Sequence, residues 1–277
     1  MPYIETNDIN LHYLEGANNG SLLLLLHGLT ANAHAFDCIR EAGLDAHFHV
    51  VSVDLRGRGL SDHPILHYSM EDHAQDILGL MEHFNASSAN IVGHSFGGLL
   101  GYYLAANYPE KVQKLVALDA AAKMNPQAAE MLAPRLSTLD IRFPSFEDYL
   151  TEVKAAPYNT FWSAAMNSYY EADVRPHEEG GVVPRPQLVN IIEASMGVAA
   201  IPWPELMPEV HCPVLLINAP ENYALGMPLL PIELAEETVK MLPNAKLMTV
   251  EGNHQTMMYR NGAKQIEAAV VAFLNPA

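Results

Sequence analysis

Leu22 to Leu26 is apolar at every position. A strand apolar on both faces must be covered on both sides, which is the signature of a central strand in a parallel sheet sandwiched between helices. Val50 to Val53, Ile91 to Val92, Leu115 to Leu118, Val214 to Ile217 and Leu247 to Val250 repeat that pattern. Ahead of them, Tyr3 to Glu5 and Leu11 to Leu14 are β-rich runs flanking Asn7-Asp8, which predicts an opening hairpin. Helix-length stretches lie between the runs. In Met70 to Phe84, Ser69 is placed to cap, Asp72 completes a capping box, and Ile77, Leu80, Met81 and Phe84 recur at helical spacing. Leu99 to Asn107 and Lys264 to Leu274 also read as helices, the second packed on the sheet. The alternation predicts an α/β fold with a mostly parallel central sheet flanked by helices. From Ala121 to Pro208 it breaks: the segment is rich in Pro, Met, Tyr and Ala and holds no run resembling a central strand. It reads as a mainly helical cap, 121–208, inserted into a core made of 1–120 and 209–277.

A chain of 277 residues with 49% hydrophobic content suffices for one large core plus such an insertion. Its net charge of -17, from 15 Lys and Arg against 32 Asp and Glu, repels phosphate backbones and anionic lipid, which argues against nucleic acid and membrane partners. Cys38 and Cys212 are too few for a disulfide framework and have no metal or redox spacing, so both are expected reduced, buried and inert. The start Met1-Pro2-Tyr3-Ile4-Glu5 lacks the basic and apolar stretches of a signal peptide, and no apolar run approaches ~20 residues. The expectation is a cytoplasmic monomer or homodimer acting on a small molecule.

Gly93-His94-Ser95-Phe96-Gly97 is a G-x-S-x-G between the strand at Ile91-Val92 and the helix from Leu99. A tight strand-to-helix turn strains the serine backbone, and flanking glycines remove the Cβ atoms that would clash there. The serine hydroxyl then stands at the positive end of a helix, which makes Ser95 the candidate nucleophile. The strand Leu22 to Leu26 runs into His27-Gly28-Leu29-Thr30. Backbone N–H groups of Leu29 and Phe96 are the candidate oxyanion donors, each of a kind that contributes ~2.7–4 kcal/mol to the transition state. His27 is read as bracing that loop by hydrogen bonding.

Together His27-Gly28, the stretch from Asp54 to Asp62 (DLRGRGLSD), Gly93 to Gly98 and Gly252-Asn253-His254 resemble the α/β-hydrolase superfamily over the chain apart from the cap. The resemblance makes His254 the general base, on a loop after the strand Leu247 to Val250. In most of that superfamily the acid follows the strand matching Val214 to Ile217, in a Gly-x-x-Asp-like pattern. This chain has Ala219-Pro220-Glu221-Asn222 there, and Asn222 supplies no carboxylate. Two acids remain open: Asp119, at the end of the strand beyond the nucleophile strand and favoured, and Glu221, which serves only if its loop bends toward His254. The glycine-rich 54–62 turn lacks the spacing of a phosphate loop; the resemblance implies a structural role, with Arg56 pairing Asp54 or Asp62. His47-Phe48-His49 has no third ligand at a metal spacing, so no metal is expected.

The cap supplies Phe161, Trp162, Met166, Tyr169, Tyr170, Met196 and Trp203, aromatic and Met content suited to an apolar pocket, with Trp162, Met166 and Tyr169 as substrate-binding candidates. The run Ala224 to Pro231 is a candidate rim. The expected activity is cleavage of a carboxylic ester or lactone through an acyl-enzyme, with no cofactor. The alternatives are a carbon–carbon bond hydrolase, a cofactor-free oxygenase and a non-catalytic ligand-binding receptor on the same fold.

Overall fold

The computed structural model describes residues 2–17 and 20–275; Met1 and Ala277, the outer bounds expected for the core, lie outside them. Eight strands, numbered in chain order, form one sheet in the order β1 (Tyr3–Thr6), β2 (Ile9–Glu15), β4 (His49–Val53), β3 (Leu22–Leu26), β5 (Ala89–His94), β6 (Val112–Leu118), β9 (Val214–Asn218), β10 (Ala245–Thr249). β1 and β2 form the predicted hairpin, with Asn7 and Asp8 both at positive φ, the geometry whose twist matches the flanking strands. β2 pairs antiparallel with β4, and from β4 onward every neighbouring pair is parallel.

Alternate residues of the apolar strands enter opposite cores. Leu22, Leu24, Leu26, Leu115 and Leu216 join one cluster, while Leu23, Leu25, Val116 and Leu215 join the other. The first face is covered by α2 (Met70–His83), α3 (Phe96–Asn107) and α9 (Ile232–Met241), the second by α1 (Asp37–Glu41) and α10 (Arg260–Leu274). Each fully buried Leu contributes ~1.5–3 kcal/mol relative to an exposed one, so a run buried at all five positions pins β3 at the sheet centre. Ser69 caps α2 with the full capping box to Asp72. β10 departs from expectation: it pairs only with β9, so as an edge strand it is half exposed instead of buried on both faces.

Between β6 and β9 the chain leaves the main sheet. This stretch contains α4 (Ala128–Leu136), α5 (Phe146–Ala155), α6 (Asn167–Asp173), a two-stranded sheet of β7 (Val174–Pro176) and β8 (Val182–Pro184), α7 (Leu188–Ala199) and α8 (Trp203–Leu206). Buried ionic contacts organise its attachment and the turns below it. Arg135 on α4 bonds both carboxylate oxygens of Asp173, which also accepts the Tyr149 hydroxyl, and reaches the Thr30 hydroxyl and carbonyl at 3.3 and 3.1 Å.

In the 54–62 turn the expected Arg56 partner is wrong. Arg56 pairs with Asp76 on α2 at 2.5 and 2.6 Å, while Asp54 is taken up by His12 and the Ala33 and Leu60 N–H groups and Asp62 Oδ2 is held by Asn10. Cys38 and Cys212 are free and only half-buried, with desolvation pushing both thiols up to about 11. Among the described residues no helix is long and apolar enough to cross a membrane, and no group of three or more His, Cys, Asp or Glu side chains is disposed to hold a metal ion.

Candidate active site

Ladder hydrogen bonds carry the sheet one residue past the ends of its central strands. Ser95 N–H donates to the Leu118 carbonyl at 2.9 Å, and Asp119 N–H donates to the Ile217 carbonyl at 2.7 Å. The residues after β5 and β6 are therefore held by the sheet while their side chains stand at its carboxyl edge, where parallel α/β sheets place ligands. Ser95 has φ 53° and ψ −116°, a left-handed-region backbone that costs a non-glycine residue of order 1–3 kcal/mol, and its side chain makes no capping bond to α3. The turn closes tightly enough that a Cβ on Gly93 would sit 2.2 Å from the Gly97 carbonyl oxygen, and one on Gly97 2.0 Å from that of Leu26. Both glycines are required by backbone approach.

Asp119 is completely buried, with φ 47°. Its Oδ2 lies 2.8 Å from His254 Nδ1, and Oδ1 accepts from Asn218 Nδ2 at 2.9 Å and Ala219 N–H at 3.0 Å. With the proton on Nδ1, the imidazole donates to Asp119 and leaves Nε2 as an acceptor. Glu221 is not at the ring. It is exposed, and its Oε1 accepts from Gly252 N–H at 3.0 Å, bracing the turn before the histidine. Asn222, in the slot where the resemblance places an acid, contributes its carbonyl to Asn253 Nδ2 at 3.0 Å. Asn253 Oδ1 in turn accepts the Gln255 and Thr256 N–H groups, an Asx-type turn that fixes the loop carrying His254.

On the opposite side of Ser95, a Cβ on Gly28 would lie 3.5 Å from the Ser95 Cβ, so the Gly28-Leu29 peptide packs against the nucleophile candidate. Among the described residues neither the Leu29 nor the Phe96 N–H donates a hydrogen bond, so both are available to a developing oxyanion. His27 Nδ1 donates to the Gly28 carbonyl at 2.7 Å and Nε2 accepts the Leu55 N–H at 3.0 Å, the expected brace. Burial pushes its pKa down to about 4 against the pull of Asp54. His94 is likewise lowered by burial and by the neighbouring His254, and its Nε2 donates to the His254 carbonyl at 2.9 Å.

Ser95, His254, Leu29 and Phe96 share one cavity of about 210 Å³. Of the residues in 121–208 singled out from sequence, Tyr169 and Tyr170 line it. Trp162 and Met166 do not: Trp162 stacks on Tyr170 and takes Lys154 over its ring, and Met166 is fully buried in the second core. The wall comes instead from Met124, Leu132, Arg135, Tyr158, Val198, Tyr223 and Leu229, the last within the rim run. Tyr158 and Tyr223 stack at 5.1 Å, and Tyr223 meets the His254 ring edge-on at 5.6 Å. Sequence reasoning also missed Asn218, although a polar residue ending an otherwise apolar strand is a readable signal.

A family model described as the alpha/beta hydrolase fold matches residues 21–178, more than half of the chain, and the chain belongs to that family. Among its relatives is the 2-(acetamidomethylene)succinate hydrolase of Mesorhizobium japonicum, 28% identical over 240 residues that cover 84% of this chain and 81% of that one. The crystal structure of an E-2-(acetamidomethylene)succinate hydrolase superposes with a TM-score of 0.86 at 24% identity, covering 99% of this chain and 98% of that one. The enol-lactonase of Burkholderia xenovorans LB400 superposes with a TM-score of 0.75 at 20% identity, covering 99% of both. At these identities the structural likeness establishes the fold.

Two outcomes follow from this geometry. Asp119→Asn should lower kcat by up to ~10⁴ while Glu221→Gln stays near wild type; steady-state kinetics showing the reverse would move the acid to Glu221. Buried His27 sets a pH dependence. Above about pH 6.5 His27 is neutral in folded and unfolded chains alike, but between 6.5 and about 4 the unfolded chain binds a proton that the folded His27 refuses, so stability falls as pH drops, by up to about 3 kcal/mol from this residue. Urea midpoints should fall on acidification through that window and fall less in His27→Gln; an identical fall in both would exclude His27.

Proposed function

We propose that the protein is a serine hydrolase that cleaves a carboxylic ester or lactone through an acyl-enzyme on Ser95. The observation that carries the reading is the 2.8 Å contact of Asp119 with His254 at the cavity that also exposes Ser95 on its strained turn. His254 Nε2 takes the proton from Ser95 Oγ as Oγ attacks the substrate carbonyl, and the resulting oxyanion is held by the Leu29 and Phe96 N–H groups. Collapse of the tetrahedral species expels the alcohol, which leaves with the proton from His254. Water then attacks the acyl-enzyme by the same route, while Asp119 keeps the proton on Nδ1 and balances the imidazolium charge. Residues 121–208 serve as a cap in this reading, supplying the apolar wall from Met124, Leu132, Tyr158 and Val198. The setting we propose is cytoplasmic, with a small-molecule substrate.

Arg135 favours a second reading. It is a cation in the cavity wall, and its Nη1 has only a long 3.5 Å contact to Thr138, so it has capacity to bond a substrate carboxylate. The relative named as acting on 2-(acetamidomethylene)succinate is a hydrolase of an acidic acylamino compound. An acidic amide cleaved by the same Ser95 chemistry therefore stands beside the ester reading.

The deciding experiment is turnover of p-nitrophenyl esters from acetate to laurate, a lactone panel and N-acetylated acidic amides by wild type and Ser95→Ala. Burst release lost in Ser95→Ala supports the acyl-enzyme, and preference for the acidic amides, with KM rising in Arg135→Met, selects the second reading. No turnover of any panel by folded protein would contradict both and direct the search to carbon–carbon cleavage, oxygenation or ligand binding.

A further inference from the structure

Arg58 is completely buried in the 54–62 turn, yet no carboxylate among the described residues pairs with it. Its neighbours' acids are engaged elsewhere, Asp76 by Arg56 and Asp54 by His12. The guanidinium is held by neutral groups. Nε donates to the Leu29 carbonyl at 2.9 Å, and Nη1 donates to the Arg56 carbonyl at 2.6 Å and to His73 Nε2 at 3.1 Å. Nη2 has no hydrogen-bond partner among the described residues. His73 cannot share the charge: its Nδ1 donates to the Ser69 carbonyl at 2.7 Å, and burial and Arg58 together hold its pKa well below the usual value. Burial brings Arg58 itself down to about 10, which leaves it cationic at neutral pH.

A buried cation without a counter-ion is costly, and the fold concentrates that cost beside the nucleophile turn. Arg58 touches both residues whose N–H groups are the oxyanion donors: it bonds the carbonyl of Leu29 and lies 5.4 Å from the ring centroid of Phe96. We propose that Arg58 is the positioning residue of the oxyanion hole, fixing residue 29 from its carbonyl side and holding an unbalanced positive charge that is balanced only when the oxyanion forms. This inference rests on the acyl-enzyme reading above. In a low-dielectric site such a charge attracts the tetrahedral species more than the neutral ground-state carbonyl, so its effect falls on kcat more than on KM. Arg135, bonded to the Thr30 carbonyl, grips the next peptide of the same loop from the cap side.

The test compares wild type, Arg58→Met and Arg58→Lys on p-nitrophenyl acetate, with phenylboronic acid as the charged tetrahedral mimic. Arg58→Met should lose kcat by about 100-fold with KM within about threefold, and should bind phenylboronic acid more weakly by a similar factor. Arg58→Lys, which keeps the charge without the fork, should recover part of both losses. If Arg58→Met does not fold, Arg58→Lys decides alone, with kcat about tenfold below wild type at unchanged KM. A folded Arg58→Met, or Arg58→Lys in its place, with wild-type kcat and boronate affinity would overturn the proposal, as would a loss confined to KM or to melting temperature. If wild type itself neither hydrolyses the ester nor binds the boronate, the acyl-enzyme reading fails and takes this inference with it.

Discussion

The hydrogen bond between Asp119 Oδ2 and His254 Nδ1 joins residues 135 positions apart, and most of the carboxyl edge of the sheet is arranged around it. Asp119 is placed by its ladder bond to Ile217 and oriented by Asn218 and Ala219, which occupy its other oxygen. His254 is placed by the Asn253 turn, by the His94 bond to its carbonyl and by Tyr223 against its ring. These contacts come from the last residues of β5 and β9 and from the loops that follow the strands at this edge. A buried carboxylate with three donors has its desolvation offset by its partners, so the pair is held in one geometry before substrate arrives.

Rigidity at that edge has a structural cost. Ser95 and Asp119 both hold positive φ, and the turn at Ser95 excludes a Cβ at Gly93 and Gly97. Such strain persists only where the surroundings over-determine the backbone, and here β3, β5, β6 and β9 are buried on both faces by two separate cores. Beneath the loop bearing Leu29, a layer of buried neutral histidines and two arginines, one of them without a counter-ion, replaces the apolar packing of the strand bodies. The apolar layers support stability, and the polar layer bonds the carbonyls of Gly28 and Leu29.

The parts that follow from local pattern were legible in the sequence. Leu22–Leu26 can be buried on both faces only inside a covered sheet, Asn7-Asp8 tolerates the positive φ of a tight hairpin, and Ser69 with Asp72 forms the box that starts α2. The strained turn at Ser95 was legible because glycines on both sides of a serine, between a strand and a helix, are demanded where backbone segments approach too closely for a Cβ. What was not legible depends on how remote segments meet. Which of Asp119 and Glu221 meets the His254 ring depends on the path of the loop after β9, and Arg56 found Asp76 on α2 while Asp54 bonds His12 and Asp62 bonds Asn10. Within 121–208, aromatic content announced a pocket but not which faces line it, so Tyr169 met the cavity while Trp162 and Met166 packed elsewhere, and Tyr158 and Arg135, with Tyr223 from the loop after β9, went unnoticed.

The central claim is that Ser95 is a nucleophile made reactive by His254. Its most direct test is peptide mapping by mass spectrometry after treatment with a fluorophosphonate. A single adduct on the peptide bearing Ser95, formed far more slowly in a folded His254→Gln variant, is the predicted result. An unmodified protein, an adduct on another residue, or labelling that is indifferent to His254 would contradict it.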